Sequence, residues 1–268
     1  MGRRTVVVRG GMFEVDLSEE GQGPPLVYLH GIWDGPDNPL LAALRQRFTV
    51  LEPKIPGFGA TTGEEHLRDI HDATYFFLDL LDELGCDGVP LVGHCLGGMF
   101  AAELAAAQPR RFRSVVLIAP FGMWSDARPS LDFFPAPPDE LALALYGPAG
   151  PDGIAGTSVL RPGSSEPEGL TDEQRLERRL ERARALAGAA RFLWPIPNRG
   201  LAKRAHRLPA STLLVWGTED GLVPAEHGAM LQGLAEGSRL ALVEGAGHLP
   251  HYQQPERVLT LVEEALAE

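Results

Sequence analysis

Three side chains that could do acyl chemistry stand far apart in the sequence: Cys95, Asp220 and His248. A thiol nucleophile needs a base that takes its proton and later returns it to a leaving group. The base in turn needs a carboxylate to orient it. Cys95 lies in Val92-Gly93-His94-Cys95-Leu96-Gly97-Gly98, after apolar Val89-Pro90-Leu91-Val92 and before the alanine-rich stretch from Met99 to Ala107. This reads as strand, sharp turn and helix. Such a turn strains its central residue and demands small neighbours two positions away, here Gly93 and Gly97. It projects Cys95 outward at a helix N-terminus, whose partial positive charge favours a thiolate. A buried cysteine beside a glycine turn would show the same residues without the chemistry. Asp220 follows the strand-like run Ser211 to Gly217, with Glu219 beside it as a rival acid, and His248 follows Leu240 to Val243. The carboxyl ends of strands in an open parallel sheet line one crevice, so the three groups can converge. His251, three residues beyond His248, reads as a satisfied surface histidine rather than a substrate contact.

The elements that would position them alternate along the chain. Thr5–Arg9 and Met12–Leu17 read as a hairpin around Gly10-Gly11, and Pro25 to Leu29 as a third strand. Leu40–Phe48 reads as a short helix, Thr49–Pro53 as a strand and His66–Leu84 as a long helix of apolar period. The helix after Cys95 is expected to run to about Phe112, with Ser114 to Ala119 as the next strand. Strands apolar throughout, alternating with helices, predict a mostly parallel α/β sheet covered on both faces. The rhythm breaks between Phe121 and Leu208. There lie a Gly/Pro/Ser-rich loop from Gly147 to Gly169 and a charged helix from Thr171 to Leu193, with an apolar stripe of Leu176, Leu180, Ala183 and Ala187. It resumes with Ser211–Gly217, Ala225–Leu234, Leu240–Val243 and Pro255–Ala267. The division is therefore a core of residues 1–121 and 209–268 and an inserted lid of 122–208.

The 268 residues suffice for one large core. No apolar run approaches the ~20 residues of a membrane span, and the N-terminus has no apolar signal core. A net charge of −12 argues against nucleic-acid and anionic-membrane partners. Cys86 and Cys95 make no disulfide framework, which suits a reducing cytosol. No spacing of histidine and cysteine suggests a metal, and no glycine loop a phosphate cofactor. A cytoplasmic protein without cofactor is expected.

With His30-Gly31, Pro56-Gly57-Phe58-Gly59, the cysteine elbow, Trp216-Gly217 with Asp220, and Gly247-His248 in this order, the chain resembles the α/β-hydrolase fold. The branch it is most similar to holds small esterases and hydrolases of aromatic ring-fission products. The resemblance runs from roughly Val6 to the C-terminus and weakens in the lid. It implies a Cys95–His248–Asp220 triad, favours Asp220 over Glu219, and gives His94 a structural role. It also implies an oxyanion hole from the backbone N–H groups of Leu96 and Ile32. Gly31, Trp33, Phe58, Trp124, Phe133, Phe134 and Trp194 would line a mostly apolar pocket for a small acyl substrate.

Cys95 departs from the family, where serine is usual. Sulfur is a better leaving group than an alkoxide, which favours activated esters, lactones and thioesters over esters with poor leaving groups. A native thiol enzyme, a serine-to-cysteine variant and a protein that binds without turnover all fit the substitution. Hydrolysis of an ester, lactone or thioester is the expected activity. Acyl transfer, carbon–carbon bond hydrolysis and ligand binding without turnover are the alternatives.

Overall fold

The computed structural model describes residues 2–151, 169–196 and 198–267. In chain order the elements are β1 (Gly2–Val8), β2 (Phe13–Gly21), β3 (Pro25–Leu29), α1 (Pro39–Leu44), β4 (Thr49–Pro53), α2 (Ile70–Glu83), β5 (Val89–His94) and α3 (Cys95–Ala107). They continue with β6 (Phe112–Ile118), α4 (Pro138–Tyr146), α5 (Asp172–Leu193), β7 (Thr212–Gly217), α6 (Ala225–Leu234), β8 (Arg239–Val243), α7 (Pro250–Gln253) and α8 (Pro255–Ala267). The strands form one sheet in the order β1-β2-β4-β3-β5-β6-β7-β8. β2 pairs antiparallel with β1 and β4, and every other pairing is parallel.

Strand side chains alternate between two apolar layers, as a period of two requires. Val27, Leu29, Leu91, Val115, Leu117, Leu214 and Trp216 face the layer built with α2 and α3. Their neighbours Leu26, Tyr28, Val92, Val116, Ile118, Leu213 and Val215 face the layer built with α1 and α8. Both faces being buried is why these strands read as continuous apolar runs.

Several boundaries depart from the sequence expectation, each for a local reason. α2 starts at Ile70, not His66, because Asp69 caps it by accepting from the N–H groups of His71 and Asp72. α3 stops at Ala107, short of Phe112, because Pro109 cannot continue a helix and disfavours the helical conformation at Gln108. Phe112 instead opens β6. α1 ends at Leu44, four residues before Phe48. α5 begins after Thr171, whose hydroxyl accepts from Gln174 N–H in a reciprocal capping box.

α5 packs through small residues rather than through its apolar stripe. Leu176 and Leu180 are exposed, as are Ala183 and Ala187, while Ala185, Gly188, Ala189 and Phe192 are buried. Small residues make this seam. A Cβ on Gly188 would lie 3.2 Å from Gly57 Cα, so the helix backbone sits directly on the Gly57-Phe58-Gly59 loop. Phe192 then meets Phe100 of α3 edge-on at 5.0 Å. Most of the expected loop from Gly147 to Gly169 lies outside the described residues.

The insertion between β6 and β7 is tied to the loops at the carboxyl edge of the sheet. Leu131 N–H donates to Leu222 O, Gly221 N–H to Ala144 O, and His248 N–H to Leu145 O. No helix among the described residues is long and apolar enough to cross a membrane.

Candidate active site

Cys95 stands where β5 turns into α3, with φ at +56°, a left-handed conformation rare outside glycine. The turn is this tight because backbones meet here. A Cβ on Gly97 would lie 2.1 Å from Leu29 O, and one on Gly93 would lie 2.6 Å from Gly97 O. The Cys95 side chain has no solvent exposure. The backbone N–H groups of Ile32 and Leu96 face its sulfur. Burial nevertheless pushes the Cys95 thiol far above its ordinary range, against those two donors and assisted by Asp34 and Asp220. The expected thiolate at the helix N-terminus is therefore overruled by desolvation. The resting group is a thiol.

The structure brings Asp220 and His248 together. His248 Nδ1 lies 2.8 Å from Asp220 Oδ2, both side chains fully buried. The other carboxylate oxygen, Oδ1, accepts from Leu222 and Val223 N–H at 2.9 Å each. An ionised carboxylate only accepts, so Nδ1 carries the imidazole proton and Nε2 presents a lone pair. Nε2 is buried and has no protein hydrogen-bond partner. Burial lowers the His248 pKa, partly offset by Asp220. The Glu219 backbone N–H donates to Ala246 O, and its Cβ packs against Gly147.

His30 anchors the turn that carries Ile32. Its Nε2 accepts from Ile55 N–H at 3.1 Å, so its Nδ1 donates to Gly31 O at 3.0 Å. Burial pulls its pKa down to about 4 and keeps it neutral. Gly31 is glycine because a Cβ there would lie 2.2 Å from His94 Nδ1.

Of the expected pocket residues, Trp33 meets His248 edge-on at 5.7 Å and Phe133 at 5.0 Å. Phe134 stacks on Phe133, and Phe121, which sequence reasoning missed, lies 6.1 Å from the His248 ring. Gly31 and Phe58 instead line a cleft of about 600 Å³ together with Ile32 and Asp34. That cleft is charged, not apolar: Arg45 and Lys54 share Glu52 there, and Arg3 pairs with Asp16. Trp194 is 58% exposed at the end of α5. Trp124 is partly exposed, its ring N–H donating to Asp126 at 2.8 Å.

His251 is a further correction, being fully buried, with Nε2 3.0 Å from Asp34 Oδ1. Asp34 itself was not singled out from the sequence, since a lone aspartate after Trp33 carries no motif. Asp34 Oδ1, His94 Nδ1 and His251 Nε2 lie within 4.8 Å of one another, and this is the group with metal-ligand spacing among the described residues. All three atoms are already joined by hydrogen bonds.

A model of the alpha/beta hydrolase family matches residues 26–261. The chain belongs to that family. It is 30% identical over 260 residues to an uncharacterised protein of Mycobacterium tuberculosis, Rv2715, covering 91% of this chain and 75% of the relative. It is 25% identical over 272 residues to a 2-hydroxy-6-oxo-6-phenylhexa-2,4-dienoate hydrolase of Burkholderia cepacia, covering 95% and 92%. The structure is similar to that of an esterase from Rhodococcus sp. ECU1013, with TM-score 0.68 and 18% identity over 100% and 99% of the two chains.

Proposed function

We propose that this protein is a hydrolase that cleaves a carboxylic ester, lactone or thioester through an acyl-enzyme on Cys95. The observation that carries the reading is the His248 ring, bonded to Asp220 at Nδ1 and unpartnered at a buried Nε2. A substrate carbonyl oxygen takes the place at the Ile32 and Leu96 N–H groups that the sulfur faces at rest. As sulfur attacks the carbonyl carbon, the thiol proton passes to His248 Nε2. The oxygen gains the negative charge and the two amides hold it, an interaction worth ~3–4 kcal/mol per donor. Collapse breaks the bond to the leaving group, which takes the proton from Nε2. Water then attacks the thioester, giving its proton to His248. Expulsion of the Cys95 sulfur, reprotonated by His248, releases the carboxylic acid. Because the resting nucleophile is a thiol, attack and proton transfer are coupled.

Trp33 and Phe121 against His248, with Phe133 packed on both of them, favour an apolar acyl group. Residues 122–208 act as a lid, a reading supported by the hydrogen bonds from this insertion to the acid and base loops. Two free cysteines fit a cytoplasmic protein. Carbon–carbon bond hydrolysis is the second reading, motivated by the dienoate hydrolase of Burkholderia cepacia. Comparing kcat/KM on a p-nitrophenyl ester, an acyl thioester and a ring-fission dienoate separates the two. Faster turnover of the ester or thioester is expected; turnover of the dienoate alone would overturn the proposal.

A further inference from the structure

Asp34 occupies a position that the acyl-transfer scheme does not use. Its carboxylate is 3% exposed and makes four hydrogen bonds to four separate partners. Oδ2 accepts from Gly31 N–H at 2.7 Å and from the Tyr28 hydroxyl at 2.9 Å. The first of these bonds lies one residue from Ile32 and sets the turn that aims its amide. Oδ1 faces His94 Nδ1 at 3.1 Å and His251 Nε2 at 3.0 Å. His94 immediately precedes Cys95, and its Nε2 faces the His248 carbonyl oxygen at 3.1 Å. His251 stands in α7, three residues past His248.

We propose that Asp34 is a positioning residue that holds the oxyanion turn in register with the Cys95 elbow and the His248 loop. The inference rests on the acyl-enzyme reading above. Each of the three segments comes from a different part of the chain, and this carboxylate is bonded to all of them. Both ring nitrogens of His94 face oxygen atoms, Asp34 Oδ1 on one side and the His248 carbonyl on the other, so the ring bridges the carboxylate to the base loop. Burial opposes ionisation of Asp34, but the charge of His94 and the hydrogen bonds from His251 and His94 hold its pKa well below the carboxylate range. The carboxylate is thus a permanent acceptor for all four donors. An asparagine of the same size would turn an N–H towards one pair of them and break that pair.

The experiment compares two reactions of Cys95 in wild type and Asp34→Asn. One is acylation by p-nitrophenyl acetate, read as a single-turnover burst, which needs the oxyanion donors. The other is alkylation by iodoacetamide, which does not. Acylation is expected to fall on the order of 10- to 100-fold, the cost of a misplacement of about 1 Å, while alkylation and KM change little. Equal losses in both reactions, or none in either, would overturn the proposal. A second pair of variants decides the matter if Asp34→Asn does not fold. His251→Leu removes a donor to Oδ1 and is expected to slow acylation, whereas His251→Gln returns an N–H near the Nε2 position and is expected to restore it. Failure of glutamine to rescue would contradict the positioning role. A wild-type protein that gives no acyl adduct would instead bring down the proposed function, and this inference with it.

Discussion

At the residue scale the account turns on what surrounds the Cys95 sulfur. A buried neutral thiol facing two amides, together with a neutral imidazole whose Nε2 has no protein partner, is the arrangement that also activates an alcohol, since neither relies on a standing ion pair. Cys95→Ser is therefore expected to raise kcat/KM on ordinary alkyl esters, where the shorter C–O bond places the oxyanion nearer the Ile32 and Leu96 donors. Loss on both an alkyl ester and a thioester would show a site built for sulfur. The acid is tested separately. Asp220 gives one oxygen to His248 and the other to Leu222 and Val223 N–H, so an asparagine must set an N–H against one side. Asp220→Asn is expected to lower kcat on the order of 10⁴-fold by imposing the wrong histidine tautomer. Glu219→Gln should leave kcat nearly unchanged; a larger effect than Asp220→Asn would reverse the assignment.

At the scale of elements, close backbone approach decides where these side chains point. A Cβ on Gly97 would meet Leu29 O at 2.1 Å and His30 O at 2.5 Å, both backbone atoms with nowhere to go. Gly97→Ala is expected to prevent accumulation of folded protein. Gly85→Ala meets open space at a φ of +63° and should cost about 1 kcal/mol, read as a small drop in Tm. Equal Tm values for the two variants would contradict this account of the elbow. Much of this scaffold is legible in sequence because it depends on local pattern. Thr49–Pro53 and Ala225–Leu234 run within the bounds that their apolar runs and flanking residues predict. The glycines around Cys95 announce the turn. What escapes has a physical reason in each case. The buried face of α5 is made of Ala185, Gly188 and Ala189, and small residues carry little hydrophobic signal beside Leu176 and Leu180. Asp34 and His251 are separated by 217 positions, so their contact exists only once the sheet has formed. The thiol state of Cys95 depends on burial, which motif spacing does not encode.

At the scale of the whole molecule, the same buried polar cluster ties stability to pH. His30 and His251 are held near pKa 4 by burial, far below the ~6.5 of an unfolded imidazole. A depressed folded-state pKa contributes stability that is complete above the unfolded value and is lost as pH falls towards the folded one. For His30 alone the loss approaches about 3 kcal/mol at the acid end, at ~1.4 kcal/mol per pH unit. The Asp34 contribution disappears only below the ordinary carboxylate range. Tm measured by calorimetry is therefore expected to be level above pH 6.5 and to fall steadily between pH 6.5 and 4. A level Tm down to pH 4.5 would contradict the neutral, buried state of these rings. The central claim, that the assembled site passes an acyl group through sulfur, is read most directly from the mass of the intact chain. After brief exposure to p-nitrophenyl acetate and acid quench, the wild-type protein is expected to gain one acetyl group, mapped to Cys95 and absent from Cys95→Ala. An unmodified chain that still turns over the ester, or an adduct that survives in folded Cys95→Ala, would contradict it.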